Sequence, residues 1–151
     1  MVSNLPVEPA WPAPTANGPL DATITIPGSK SLTNRALPLA ALASEPTTIR
    51  GALSSRDSDL MIGALRAVGT TIEATDHGST LHITPGPVTG GGTVDCGLAG
   101  TVMRFLPPIA ALADGPVSLD GDPGARQRPM GPVLRALADL GVRVEEVGEP
   151  L

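Results

Sequence analysis

Aromatic residues are nearly missing from this chain. Trp11 and Phe105 are the only two, and tyrosine is absent. A core must therefore be built from alanine, valine, leucine and isoleucine. Cysteine is as scarce: Cys96 stands alone, which rules out an intrachain disulfide and makes a reducing cytosol the expected setting. Long apolar runs are absent too. Stretches such as "ALPLAALA" fall far short of the roughly 20 residues that span a bilayer, and no basic start with a following apolar segment marks a signal peptide. Positive charge is in deficit, with ten Lys+Arg against fifteen Asp+Glu and a net charge of −5. That balance argues against general affinity for nucleic acid or anionic membranes. The expectation is a soluble cytoplasmic protein whose anion sites, if it has them, are local clusters.

Glycine and proline, by contrast, are plentiful, at 18 and 17 of 151 residues. The apolar residues are clearly periodic, so this excess reads as many tight turns and not as disorder. The length suits one domain with a real core. Residues 1–20 carry prolines 6, 9, 12, 14 and 19 and read as an extended arm or linker, in which Trp11 is either an anchor or an incidental hydrophobe.

Beyond the arm the sequence repeats. "LPLAALASEPTTIRG" (37–51) resembles "LPPIAALADGPVSLDG" (106–121), with Pro38, Ala40, Leu42 and Gly51 matching Pro108, Ala110, Leu112 and Gly121 at an offset of 70. "ALRAVG" (64–69) matches "ALADLG" (136–141) at an offset of 72. Each unit reads as a strand (Ala22–Ile26, then Thr93–Cys96), a helix (about 30–43, then 100–113), a strand (Thr47–Ala52, then Pro116–Leu119), and a second amphipathic helix. The second helices carry apolar stripes Leu60, Met61, Ala64, Leu65, Val68 and Met130, Val133, Leu134, Leu137, Leu140, with Ser55 as N-cap of one and Pro129 at N1 of the other. A strand follows each, "TTIEAT" and "VRVEEV", and the first unit adds "TLHIT" (80–84). The fold expected is α/β, built of repeated βαβαββ units. Unit one covers about 21–87, and an incomplete unit two about 92–151. Leu151 falls about where Leu81 falls in unit one, so a fragment is expected.

The chemistry gathers at the strand-to-helix turns. In "PGSKSLTNR" (27–35) Gly28 permits a tight turn and Ser29–Ser31 open a helix, whose free N–H groups and dipole suit an anion. Lys30 is the only lysine of the chain, the other nine basic residues being arginine. Ser31 and Arg35 share a helix face. Unit two repeats the design in "CGLAGTVMR" (96–104): Gly97 and Gly100 let an anion approach the backbone, and Thr101 and Arg104 lie one helical turn apart. "GARQRP" (124–129) adds Arg126 and Arg128 before the next helix, and arginine suits bidentate binding of carboxylate or phosphate. Any one of these turns alone is more often a capped surface turn; three in repeated units favour an anion site. Cys96 reads as a small core residue, and His77 and His82 as solvated, without metal-ligand spacing around them. Asp57 and Asp59 suit a helix start electrostatically, and Asp57 also has a place in lining a cleft.

The stretches "PGSKSLTNRAL", "SRDSDLM", "DCGLAGTVMRF" and "DGDPGARQRPMGPVL" resemble the family of 5-enolpyruvylshikimate-3-phosphate synthase, or 3-phosphoshikimate 1-carboxyvinyltransferase, in that family's order and from about residue 11 onward. The sister UDP-N-acetylglucosamine enolpyruvyl transferases share the fold but differ at these turns. The resemblance implies an enzyme of two domains, each of three βαβαββ units. It moves the enolpyruvyl group of phosphoenolpyruvate to the 5-hydroxyl of shikimate 3-phosphate and releases phosphate, in aromatic amino acid biosynthesis, with no metal or organic cofactor. It implies that Lys30 touches both substrates, that Ser31 and Arg35 bind shikimate 3-phosphate, that Gly100 and Arg128 bind phosphoenolpyruvate, and that Thr101 and Arg104 support them. A monomeric intact enzyme is expected. Two positions depart from the family pattern. Leu98 stands where many members have asparagine, and Phe105 where others have proline. The family's remaining substrate-binding serines and glutamine, and its acid/base aspartate with lysine and arginine partners, lie beyond residue 151. Two other readings stand beside this one: an anion-binding module without chemistry, and a structural half completed by a separate chain.

Overall fold

The computed structural model describes residues 11–147. Residues 11–29 carry no helix or strand, and Trp11 is exposed; residues 1–10 of the proline-rich arm lie outside the described range. The elements then run α1 (Lys30–Ala41), β1 (Thr47–Arg50), α2 (Arg56–Ala67), β2 (Thr71–Thr75), a 3-10 turn (Asp76–Gly78), β3 (Thr80–Thr84), β4 (Thr93–Asp95), α3 (Gly100–Ala110), β5 (Ser118–Asp120), α4 (Pro123–Arg126) and α5 (Gly131–Asp139).

In unit one β3 is the middle strand, antiparallel to both β1 and β2. The register sets Ile49 opposite Leu81 and Ile72 opposite Ile83, so the apolar residues of the three strands share one face. That face meets the helices. Helices α1, α2 and α3 pack on one another, with α1 against β3 and α2 against both β2 and β4. Leu37, Met61, Leu65, Val94, Val102 and Leu106 are fully buried between them. Each such side chain contributes on the order of 1.5–3 kcal/mol by leaving water, which is how a chain almost without rings assembles a core.

The repeat is visible in detail. Pro38 lies inside α1 and Pro108 inside α3, the two positions matched in sequence. Ser55 caps α2 as expected, and Ser58 completes a reciprocal capping box. Met61, Ala64, Leu65 and Val68 of the expected stripe are buried.

Several expectations are corrected. Ala22–Ile26 is not a strand. Its counterpart β4 lies against α2, the helix of the preceding unit, and pairs parallel with β5; no described helix covers 22–26, and Ile24 and Ile26 are about four-fifths exposed, at 80% and 78%. The segment 142–147 is not a strand either, because in unit one the strand it matches is held only by the middle strand β3, and the described residues end before any counterpart of β3. Pro129 is not at N1: Met130 is the N-cap and Pro132 occupies the first turn of α5. Of that helix's apolar stripe only Leu137 is buried. Helices α1 and α3 end at Ala41 and Ala110, two and three residues early, and β1 and β5 also differ at their ends from the expected Thr47–Ala52 and Pro116–Leu119.

Candidate functional site

The start of α1 is fixed by its own sequence. A Cβ on Gly28 would stand 2.0 Å from the carbonyl oxygen of Gly51, so only glycine lets the chain pass there. Ser29 then caps the helix, accepting from the Leu32 N–H at 3.3 Å. Thr33 Oγ1 donates to the Ser29 carbonyl at 3.0 Å and accepts from Leu53 N–H at 3.0 Å, tying this turn to the loop after β1. Asn34, fully buried, donates to the Lys30 carbonyl at 3.2 Å.

On this support Lys30 points outward, with Nζ 3.0 Å from Asp57 Oδ2 and about half of its side chain exposed. Ser31 is exposed. Arg35 donates to the Ser31 carbonyl at 3.0 Å and stands over the ring of Phe105, 5.9 Å from the centroid. Phe105 thus gives Arg35 a face to rest on.

In unit two the turn before α3 is held by backbone and carboxylates. Gly97 has φ +48°, its N–H donates to Asp95 Oδ1 at 2.7 Å, and its carbonyl accepts from the Asp122 N–H at 2.9 Å. Leu98 packs towards Gly124, where an added Cβ would lie 3.2 Å from Leu98 Cδ1. At the first residue of α3 two arginines converge: a Cβ on Gly100 would lie 2.8 Å from Arg128 Nη1 and 2.9 Å from Arg104 Nη1. Arg104 also donates to the Gly100 carbonyl at 3.1 Å. The free N–H groups of a helix start and two guanidinium groups therefore share one spot. The Thr101 hydroxyl is buried and has no hydrogen-bond partner among the described residues.

The first turn of α2 joins the two clusters. Asp57 meets Lys30, and Arg56 meets Asp122 Oδ2 at 2.7 Å, an interaction that raises the arginine pKa. The first turn of α2 thus contacts the start of α1 through Lys30 and the N-cap of α4 through Asp122. Arg126 does not belong to the free cluster: it forms a two-pronged bond with Asp120, at 3.0 and 2.8 Å, which holds the carboxyl below its ordinary range with help from the Gly121 N–H. Among the described residues Arg35, Arg104 and Arg128 form no ion pair, and no cluster of His, Cys, Asp and Glu has the makings of a metal site. The partnership of Asp57 with Lys30, 27 positions on, and that of Arg126 with Asp120 carried no local sequence signal.

Cys96 lies beneath the turn, buried, and burial first, then Asp95 and Asp120, push its thiol up to about 11. A thiol reagent at pH 8 is expected to label it only when urea unfolds the chain. The folded thiol keeps its proton where the unfolded one, ordinarily near 9, has lost it. Stability is therefore intact below about pH 9 and falls as pH rises towards 11. Urea midpoints across that range should fall in the natural chain more steeply than in Cys96→Ala; parallel profiles would refute the assignment.

The fold and the site together define an α/β protein of repeated strand and helix units with basic side chains at two helix starts, Lys30 and Arg35 on α1 and Arg104 and Arg128 at α3. Residues 14–150 match the family described as EPSP synthase (3-phosphoshikimate 1-carboxyvinyltransferase), and the chain belongs to that family. It shares the enolpyruvyl transferase fold: an EPSP synthase structure from Acinetobacter baumannii superposes with a TM-score of 0.71 at 26% identity, over 83% of this chain and 29% of that one. The chain thus spans 29% of the length of that solved relative. Among the described residues no helix is long and apolar enough to cross a membrane.

Proposed function

We propose that this chain supplies the part of an enolpyruvyl transferase that receives both anionic substrates, shikimate 3-phosphate at the start of α1 and phosphoenolpyruvate at the start of α3. The observation that carries this reading is the convergence of Arg104 and Arg128 on Gly100, beside a second helix start that bears Lys30. Ser31 and Arg35 hold shikimate 3-phosphate. The Gly100 N–H and Arg128 hold phosphoenolpyruvate, with Arg104 and Thr101 in support. Lys30 lies between the two and touches both.

The reaction is addition followed by elimination. The 5-hydroxyl oxygen of shikimate 3-phosphate bonds to C2 of phosphoenolpyruvate as the hydroxyl proton is lost and the C3 methylene takes up a proton. The tetrahedral intermediate then loses a C3 proton as its C2–O bond to phosphate breaks, which restores the double bond. Both substrates are anionic, so the contribution of these residues is to hold two repelling molecules in contact and to neutralise them in place. An ammonium at Lys30 can also pass a proton, which a guanidinium cannot. The remaining groups of the family's reaction stand on a facing wall that this length of chain does not supply. The isolated chain is therefore expected to bind without turning over.

The test is an amide titration of the full chain by NMR. Shikimate 3-phosphate is expected to move the amides of Gly28–Arg35, and phosphoenolpyruvate those of Gly97–Arg104 and Arg128. A folded chain that ignores both ligands would overturn the reading.

A further inference from the structure

The first turn of α2 faces two ways. Asp57 reaches to unit one and meets Lys30. Arg56, one residue earlier, reaches to unit two and meets Asp122 Oδ2 at 2.7 Å. Asp122 is placed at a junction. Its N–H donates to the Gly97 carbonyl at 2.9 Å, and its own carbonyl accepts from Ala125 N–H at 2.7 Å, inside the short helix that leads to Arg128. Arg56 also covers the turn directly, its Nη2 being 3.2 Å from where a Cβ of Gly97 would stand. Leu98, in the middle of that turn, has no side-chain hydrogen bond to offer. The polar restraint on the turn comes instead from Asp95, from Asp122, and from the arginine that holds Asp122.

We propose that Arg56 and Asp122 form a positioning pair that fixes the Gly97–Gly100 turn and Arg128 relative to Lys30, so that the two anion sites are presented together. The proposal rests on the anion-site reading above. Neither residue touches a ligand; the pair sets where the Gly100 N–H and the Arg128 guanidinium stand. The competing account is a surface ion pair of no consequence. Both side chains are well exposed, at 64% and 41%, and exposed pairs add little to stability. That weakness separates the two accounts, because a positioning role will alter ligand affinity far more than it alters unfolding. A pure field effect is a further rival, since Asp57 and Asp95 also act on Arg56. A variant that removes both charges at once leaves the net charge unchanged and tests it.

The experiment titrates the full chain with phosphoenolpyruvate and follows the Gly97–Arg104 amides, beside a thermal melt of each variant. Arg56→Gln is expected to raise the dissociation constant about fivefold, the scale of one exposed ion pair, with the melting midpoint within about 2 °C of the natural chain. The neutral pair Arg56→Gln with Asp122→Asn is expected to bind as weakly. The exchanged pair Arg56→Asp with Asp122→Arg is expected to return to within about twofold, as coupled partners do. An unchanged affinity in Arg56→Gln would overturn the proposal, and so would a lower melting midpoint without a change in affinity. A neutral pair that binds like the natural chain would assign the effect to the field alone. A natural chain that does not respond to phosphoenolpyruvate fails earlier and elsewhere: it refutes the anion-site reading, whatever the variants do.

Discussion

Gly28→Ala is expected to destabilise the chain by about 2–3 kcal/mol, the range of an overpacked core position. The added Cβ would meet Gly51 O at 2.0 Å, Gly51 C at 3.1 Å and Ala52 C at 3.2 Å. All three are backbone atoms, so no side chain can swing aside. The opposing backbone cannot retreat freely, because Ala52 is buried and its N–H is bonded to the Ser79 carbonyl at 2.9 Å. A thermal midpoint lower by about 5–10 °C follows for a domain of this size. Gly63→Ala is the matching control. Gly63 lies inside α2 with nothing within 4 Å of an added Cβ, so the same substitution there is expected to stabilise by about 0.5–1 kcal/mol. Equal effects at the two positions would show that propensity, and not the close passage at Gly28, governs the turn. The Gly28 variant should also lose the amide response of Ser29–Arg35 to shikimate 3-phosphate, since the turn that shifts is the one that presents Lys30.

Local chemistry was legible in the sequence, and long-range placement was not. Helix α2 illustrates the first. Its cap at Ser55 and its stripe through Met61, Ala64, Leu65 and Val68 are set by side chains three or four residues apart, and each lies where periodicity puts it. Its capping box has no pattern in the sequence to mark it, because Ser58, and not glutamate or glutamine, fills the third position. The strand read at Ala22–Ile26 illustrates the second. Its alternation is as good as that of Thr80–Thr84, but a strand needs neighbours, and among the described residues β3 has two while 22–26 has none. At the site, the helix starts were visible as Gly-Ser-Lys-Ser and Gly-Leu-Ala-Gly-Thr. The meeting of Arg128 with Gly100, 28 residues apart, depends on how α4 turns the chain back, which no pattern announces. Arg126 shows the same limit in reverse. Composition made it equal to Arg128, and only the fold shows that Asp120 occupies it.

The largest functional effect is expected at Lys30, and the informative substitution is the one that keeps its charge. Lys30→Met removes the ammonium and leaves Asp57, a partly exposed carboxylate, facing the incoming phosphate. A loss of at least about tenfold in shikimate 3-phosphate affinity is expected, since a charge-assisted contact disappears and a repulsion replaces it. That result alone would not separate charge from shape. Lys30→Arg does. Guanidinium is planar, always protonated, and matched to carboxylate in a two-pronged geometry, and Asp57 Oδ2 already lies 3.0 Å from the position of Nζ. An arginine there is expected to be captured by Asp57 and turned away from the ligands. In the isolated chain it should bind shikimate 3-phosphate between the natural chain and the methionine variant. In an intact enzyme containing this segment it should lower kcat/KM by about a hundredfold, the scale of losing one preorganised charge at the reacting centre. Asp57→Asn in the same background is expected to restore binding to Lys30→Arg in part, because it removes the captor. If Lys30→Arg binds and turns over as the natural sequence does, the position needs only a positive charge, and the place of a lone lysine in a chain of arginines has another cause.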